Sequence, residues 1–217
     1  MNVLFIGNSY TFYHEMPVLF ENLAKANRKK VTVDSVTRGG RRLYENLVCG
    51  DAEHEKIAEL LQNKSYDVLF LQEQSYHALV DYGSFEEGVL ELAKLVDAKR
   101  TVLYATWGRK SGCDLLDKYG WTSEQMGQKL HEAYSSAAQK CGAEVSPVGL
   151  AFNAINLGNS DIELYAPDLS HPSRTGSVLV TVMHYKTVFG ELPINIDSLG
   201  VTKEEADVIL DTVAALV

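Results

Sequence analysis

The strongest constraint on this chain is the regular return of short, almost wholly apolar runs, each followed by a segment with helical periodicity. Asn2-Val3-Leu4-Phe5-Ile6 stops at Gly7-Asn8, Val31 to Val36 stops before Gly39-Gly40, and Asp67 to Leu71 and Thr101 to Ala105 have the same form. Runs of this length bounded by turn residues read as strands, and unbroken apolar character means cover on both faces. The spacing between them predicts helices over Pro17 to Lys30, Leu43 to Leu61 with a break near Gly50-Asp51, Phe85 to Val96, and Ser123 to Lys140. Glu144 to Val148 is a candidate fifth strand, and Arg174 to Phe189 and Lys203 to Leu216 read as closing helices. Parallel neighbours need crossover connections, so this alternation implies a three-layer α/β/α sandwich around a parallel sheet of about five strands.

With 217 residues and no Pro/Gly/Ser-rich linker or long charge block, the chain reads as one domain spanning 1–217. A formal charge of −9 disfavours nucleic acid and anionic membranes as partners, since Arg28-Lys29-Lys30 and Arg41-Arg42 are short basic clusters in an acidic chain. No stretch approaches the ~18 apolar residues of a membrane span, and the apolar run at Met1 is too short for a signal-peptide core. A cytoplasmic location is the expectation. Oligomeric state is not readable from these features.

Cys49, Cys113 and Cys141 have no Cys-x-x-Cys spacing or zinc-type His companion and read as small core residues or free thiols. No His-x-x-x-His pattern suggests a metal.

In open parallel sheets ligands gather outside the carboxyl ends of the strands, so the residues just after each strand are where chemistry is sought. After the first strand stands Gly7-Asn8-Ser9-Tyr10-Thr11. A serine at a strand-to-helix turn presents its hydroxyl at the sheet edge, beside backbone N–H groups that can meet a developing anion. Late in the chain stands Asp168-Leu169-Ser170-His171-Pro172. A hydroxyl nucleophile needs a base, and a neutral histidine needs a carboxylate on its far nitrogen to fix its tautomer. Each motif alone also fits an ordinary turn.

Taken together, Gly-x-Ser after the first strand and Asp-x-x-His-Pro before a late helix resemble the first and last blocks of the SGNH, or GDSL-like, hydrolases. The family commonly carries Gly-Asp-Ser where this chain has Gly-Asn-Ser. The likeness runs from Asn2 to about Phe189 and implies a flavodoxin-like sheet carrying a serine esterase. Ser9 would be nucleophile, His171 general base and Asp168 its orienting acid. By the same register the oxyanion hole would take the Ser9 N–H, the N–H of Gly40 with Gly39 as the alternative, and the side-chain amide of Gln74 with Gln72 as the alternative. Gln74 stands where the family has Asn, within Gln72-Glu73-Gln74-Ser75, and a subgroup of SGNH-like proteins carries such a segment. Glu73 could not donate while ionised.

The resemblance implies no cofactor and no metal, and a small-molecule or glycan ester as substrate, with small polar acyl groups such as acetyl favoured. Two other readings stay open: a flavodoxin-like flavin-binding electron carrier, and a relative that binds sugar esters without turnover. Trp107, Tyr119 and Trp121 flank a Gly- and charge-rich segment that could form a substrate rim or anchor a long loop. His14 and His77 could border the pocket, whereas His54, His131 and His184 lie in helical patterns without a partner constellation.

Overall fold

The computed structural model describes residues 1–158, 161–194 and 196–216. Five strands, β1 (Asn2–Gly7), β2 (Thr32–Thr37), β3 (Val68–Leu71), β4 (Arg100–Tyr104) and β5 (Glu144–Ser146), pair in parallel in the order β2-β1-β3-β4-β5. This is the flavodoxin-like order expected from the sequence. The chain leaves β1 for one edge and crosses back to β3 on the other side, so strand order reverses at β1/β3. The crevice above that reversal is where such sheets bind ligands.

Side chains alternate across a strand, and here the alternation divides the core in two. Val3 and Phe5 of β1, Val68 and Phe70 of β3, and Val102 and Tyr104 of β4 enter one buried cluster. Leu4, Ile6, Leu69, Leu71 and Leu103 enter the other. On the first face lie α2 (Met16–Ala26), α9 (Val148–Gly158), α10 (Arg174–Phe189) and α11 (Lys203–Leu216), and on the second α4 (Ala52–Asn63), α6 (Tyr82–Val96) and α8 (Ser123–Cys141). Short helices α1 (Ser9–Phe12), α3 (Glu45–Val48), α5 (His77–Val80) and α7 (Asp114–Tyr119) complete the chain. Among the described residues no helix is long and apolar enough to cross a membrane, and no cysteine is in a disulfide.

Local chemistry sets the ends of these elements. Ser173 caps α10 by accepting from the Gly176 N–H, Gly190 closes the helix in the left-handed region at φ 70°, and the observed span matches the expected one. Thr122 and Gln125 form a reciprocal capping box on α8. The expected fifth strand ends two residues early, at Ser146, because Pro147 cannot continue a ladder and Val148 begins α9 instead. That helix packs against α8, α10 and α11 and is missing from the sequence reading because even its exposed side, with Ala154, Leu157 and Gly158, is largely apolar and gives no period to read.

His184 lies wholly within the first cluster, with its Nδ1 2.7 Å from Ser146 Oγ and its ring edge-on to Tyr104. Burial pushes its pKa down to about 3. Between pH 6.5 and 3 the unfolded chain therefore binds a proton that the folded chain refuses, and stability falls as pH falls. The His184→Leu variant should lose less stability than wild type over that window, by about 1.4 kcal/mol per pH unit at most, in urea denaturation at graded pH.

Candidate active site

The loop after β1 is fixed by side-chain amides. Asn8 caps α1 by accepting the Tyr10 N–H at 3.2 Å, and its Nδ2 donates 2.9 Å to the carbonyl of Arg41, just past the Gly39-Gly40 corner. Its backbone N–H donates 2.9 Å to Gln72 Oε1, which also accepts from Thr11 Oγ1 at 2.8 Å, while Gln72 Nε2 donates to the Glu73 carbonyl. Gly7 is required by this closeness: a Cβ there would stand 2.4 Å from Thr11 Oγ1 and 2.7 Å from Gln72 Oε1. The blocks after β1, β2 and β3 are thus tied at one buried junction. At its outer edge Ser9 begins α1, where the first N–H groups have no intrahelical acceptor.

The loop before α10 meets Ser9 from the other side. Ser9 Oγ lies 2.7 Å from His171 Nε2, and His171 Nδ1 lies 2.5 Å from Asp168 Oδ2. Asp168 Oδ1 accepts the backbone N–H groups of Ser170 and His171 at 3.0 and 2.9 Å, which closes the loop into a turn. Partial burial alone would raise the Asp168 carboxyl, but the bonds from the His171 ring and from both N–H groups outweigh it and leave it below the usual carboxylate range. Beneath, Tyr10 Oη and Ser170 Oγ are 2.7 Å apart in a buried bond joining the neighbours of Ser9 and His171. Trp107 stacks on Tyr10 at 4.6 Å and donates its Nε1–H to the Ser170 carbonyl at 3.1 Å.

The remaining predicted residues separate into placed and displaced. Gly40 is an exposed turn corner at φ 70°, in a turn closed by Arg41 N–H to Arg38 C=O at 3.2 Å and held to the nucleophile loop through Asn8. Gly39 precedes it with no positive φ, so Gly40 is the position that needs glycine. Gln74 is half-buried with no side-chain hydrogen bond to another described residue, whereas Gln72 is buried below the loop, its Oε1 accepting from the Asn8 N–H and Thr11 Oγ1 and its Nε2 donating to the Glu73 carbonyl. Trp107 is fully buried and anchors its loop; Tyr119 and Trp121 stack on each other, half-exposed. His14 approaches the Pro172 carbonyl at 3.2 Å and His77 is buried, while His54, partly exposed, approaches the Asn46 carbonyl.

Glu73 is almost fully buried, accepts from the N–H groups of Leu43 and Gln74, and is pushed up to about 7 by burial. His77, 3.9 Å from it, is pushed down, again by burial first. Both shifts favour the neutral forms, so burial works against a full ion pair here.

Neither a family model nor a curated protein matches the chain. Solved structures do. A protein from Slackia heliotrinireducens described as a "putative SGNH hydrolase" is 31% identical, superimposes with a TM-score of 0.76, and is matched over 87% of this chain and 98% of its own. This chain belongs to the SGNH hydrolases. The fold recurs at lower identity in a DUF4886 family protein from Bacteroides uniformis (15% identical, TM-score 0.82, 99% of this chain and 93% of the other). It recurs also in the acetyl xylan esterase AlAXEase (17%, TM-score 0.65, 87% and 100%).

Within this SGNH hydrolase, the roles of Asn8, Gln72, Tyr10 and Ser170 are absent from the sequence reading. Asn8 had a usable signal, since Asn between a strand and a helix is a strong N-cap. Tyr10 had none, because its partner lies 160 positions away.

Two measurements follow from this geometry. Asn8→Asp, the residue commoner in the family, loses the donor to the Arg41 carbonyl and places a buried carboxylate against it; thermal denaturation should show a loss of about 1–3 kcal/mol. For Glu73 the folded pKa exceeds the unfolded one, so the folded chain holds the extra proton between about pH 4.5 and 7 and stability falls as pH rises through that window. Glu73→Gln should cancel this slope, with urea midpoints of variant and wild type diverging towards pH 7.

Proposed function

We propose that this SGNH hydrolase is a serine esterase that acts through an acyl-enzyme, with Ser9 as nucleophile, His171 as general base and acid, and Asp168 holding the imidazole tautomer. The observation that carries the reading is the unbroken line from Ser9 Oγ to His171 Nε2 at 2.7 Å and from His171 Nδ1 to Asp168 Oδ2 at 2.5 Å. That line poses the Nδ1–H on Asp168 and leaves Nε2 with its lone pair on the serine hydroxyl.

In the first step His171 Nε2 takes the Ser9 proton as Oγ bonds to the ester carbonyl carbon, and the carbonyl electron pair moves to oxygen. The N–H groups of Ser9 and Gly40 and the Gln74 amide would receive that oxyanion, and the hydrogen-bond freedom of the Gln74 side chain supports its assignment over Gln72. Collapse breaks the bond to the leaving alcohol, which takes the proton from the imidazolium. Water then repeats the sequence on the acyl-serine, releasing the acid and restoring Ser9.

Small acyl esters, acetyl on a carbohydrate among them, are the substrates of this proposal. The acetyl xylan esterase that shares the fold acts on substrates of this kind, and the Gln-Glu-Gln-Ser segment fits the subgroup resemblance.

The test is hydrolysis of p-nitrophenyl acetate and of acetylated sugars, with esters of graded chain length beside them. Wild type should label at Ser9 with a fluorophosphonate, Ser9→Ala should neither label nor turn over, and Gln74→Ala should lose about 10²–10³ in kcat. Wild-type protein inert to every ester and to the fluorophosphonate would refute the proposal.

A further inference from the structure

The turn between α1 and α2 stores backbone strain beside the proposed base. His14 and Glu15, two consecutive residues with β-carbons, both take left-handed conformations, at φ 52° and 56°. Such conformations cost about 1 kcal/mol or more per residue and persist where surrounding contacts impose them. Glu15 also precedes α2 without making a side-chain cap, so the strain is not repaid by capping that helix. What the turn does achieve is the placement of Tyr13. Its ring lies flat on the His171 imidazole, with centroids 4.2 Å apart and planes 7° from parallel. His14 Nε2 lies 3.2 Å from the carbonyl of Pro172, the residue after His171, and ties the strained turn to the loop it serves.

We infer that Tyr13 is a positioning residue for the esterase reaction: its ring holds the His171 plane in line with Ser9 and stabilises the imidazolium as it forms. The inference rests on the proposed base role of His171. The geometry suits it. Tyr13 covers one face of the imidazole, while the edge contact from Tyr10, at 5.4 Å and 72°, prevents it from swinging aside. Stacking on the face leaves the in-plane contacts of Nδ1 with Asp168 and of Nε2 with Ser9 in place. An electron-rich face attracts a cation more than a neutral ring, so the contact strengthens when His171 takes the serine proton and weakens when it gives the proton up. That difference lowers the barrier rather than merely binding the resting state. The charged and titratable groups facing the imidazole are Asp168 from its own loop, the phenols of Tyr10 and Tyr13, and His14 through the Pro172 carbonyl. Asp168 fixes one nitrogen; Tyr13 fixes the plane.

The experiment is the pH profile of kcat/KM for p-nitrophenyl acetate in wild type, Tyr13→Phe, Tyr13→Leu and Tyr13→Trp, with fluorophosphonate labelling of Ser9 and circular dichroism on each. Phe keeps the π face and should match wild type. Leu keeps the apolar cover without the π face. It should lower the plateau by about 2- to 30-fold and move the acid limb to lower pH, because a less stabilised imidazolium gives up its proton sooner. Trp should place the limb at or above the wild-type position. A Leu variant with an unchanged plateau and limb, or with a lowered plateau and an unmoved limb, overturns the inference; the second pattern marks a merely structural side chain. Should the Leu variant fail to fold, the Trp variant decides, and a limb below that of wild type overturns the inference. Wild type that neither hydrolyses the ester nor labels at Ser9 refutes the esterase reading and the inference with it. Wild type that does both, beside an unaffected Leu variant, refutes the role of Tyr13 alone.

Discussion

One buried carboxamide, that of Gln72, organises the reactive edge of the sheet. Its oxygen receives two donors from the loop after β1, and its nitrogen donates to the backbone of its own loop after β3. The strands beneath are parallel neighbours in register, Ile6 beside Leu71, so both loops leave the sheet at the same height. Only a side chain offering acceptor and donor together satisfies both. Loss of either end would strand polar groups where water does not reach, at a cost comparable to a sizeable part of a domain's net stability. The position of Ser9 is therefore a property of a two-strand junction rather than of its own short helix.

The histidine side is built differently. The Asp168–His171 turn is substantially exposed, with Leu169 in the left-handed region at φ 61°, and it is held from below through Ser170 by Tyr10 and Trp107. A firmly held Ser9 thus faces a loop fixed by a few directed contacts. Burial shifts two ionisable groups within the body towards their neutral forms, His184 in one hydrophobic cluster and Glu73 under the other edge, and their titrations act on stability with opposite signs.

The strands and helices were legible in the sequence because the codes involved are local, whereas the flavodoxin-like strand order followed only from the resemblance to the SGNH hydrolases. Apolar runs such as Val68 to Leu71 announce buried strands, and Thr122 or Ser173 announces a helix start. The proposed site residues were legible for a related reason: Ser9, Asp168 and His171 each sit directly after or before a recognisable element. What escaped was non-local or featureless. The largely apolar helix α9 offers no polar stripe to read, the short helices α1, α5 and α7 offer too few residues for a period, and the engagement of Gln72 rather than Gln74 beneath the loop depends on which side chain points inward. The stacking of Tyr13 on His171 depends on two left-handed residues that carry no glycine to signal them.

The Tyr10–Ser170 bond spans 160 positions and the Ser9–His171 contact 162, so the constellation joins the first strand to a loop near the far end of the chain. During synthesis, β1 and its serine emerge first and wait while the sheet grows outward from them. The imidazole arrives only after β5 and α9 have been made, and it is secured only as α10 docks beside α2. Long-range closures of this kind are late events in folding. Any chain interrupted before His171 carries Ser9 without its proposed base, and the two meet only once the late loop has docked.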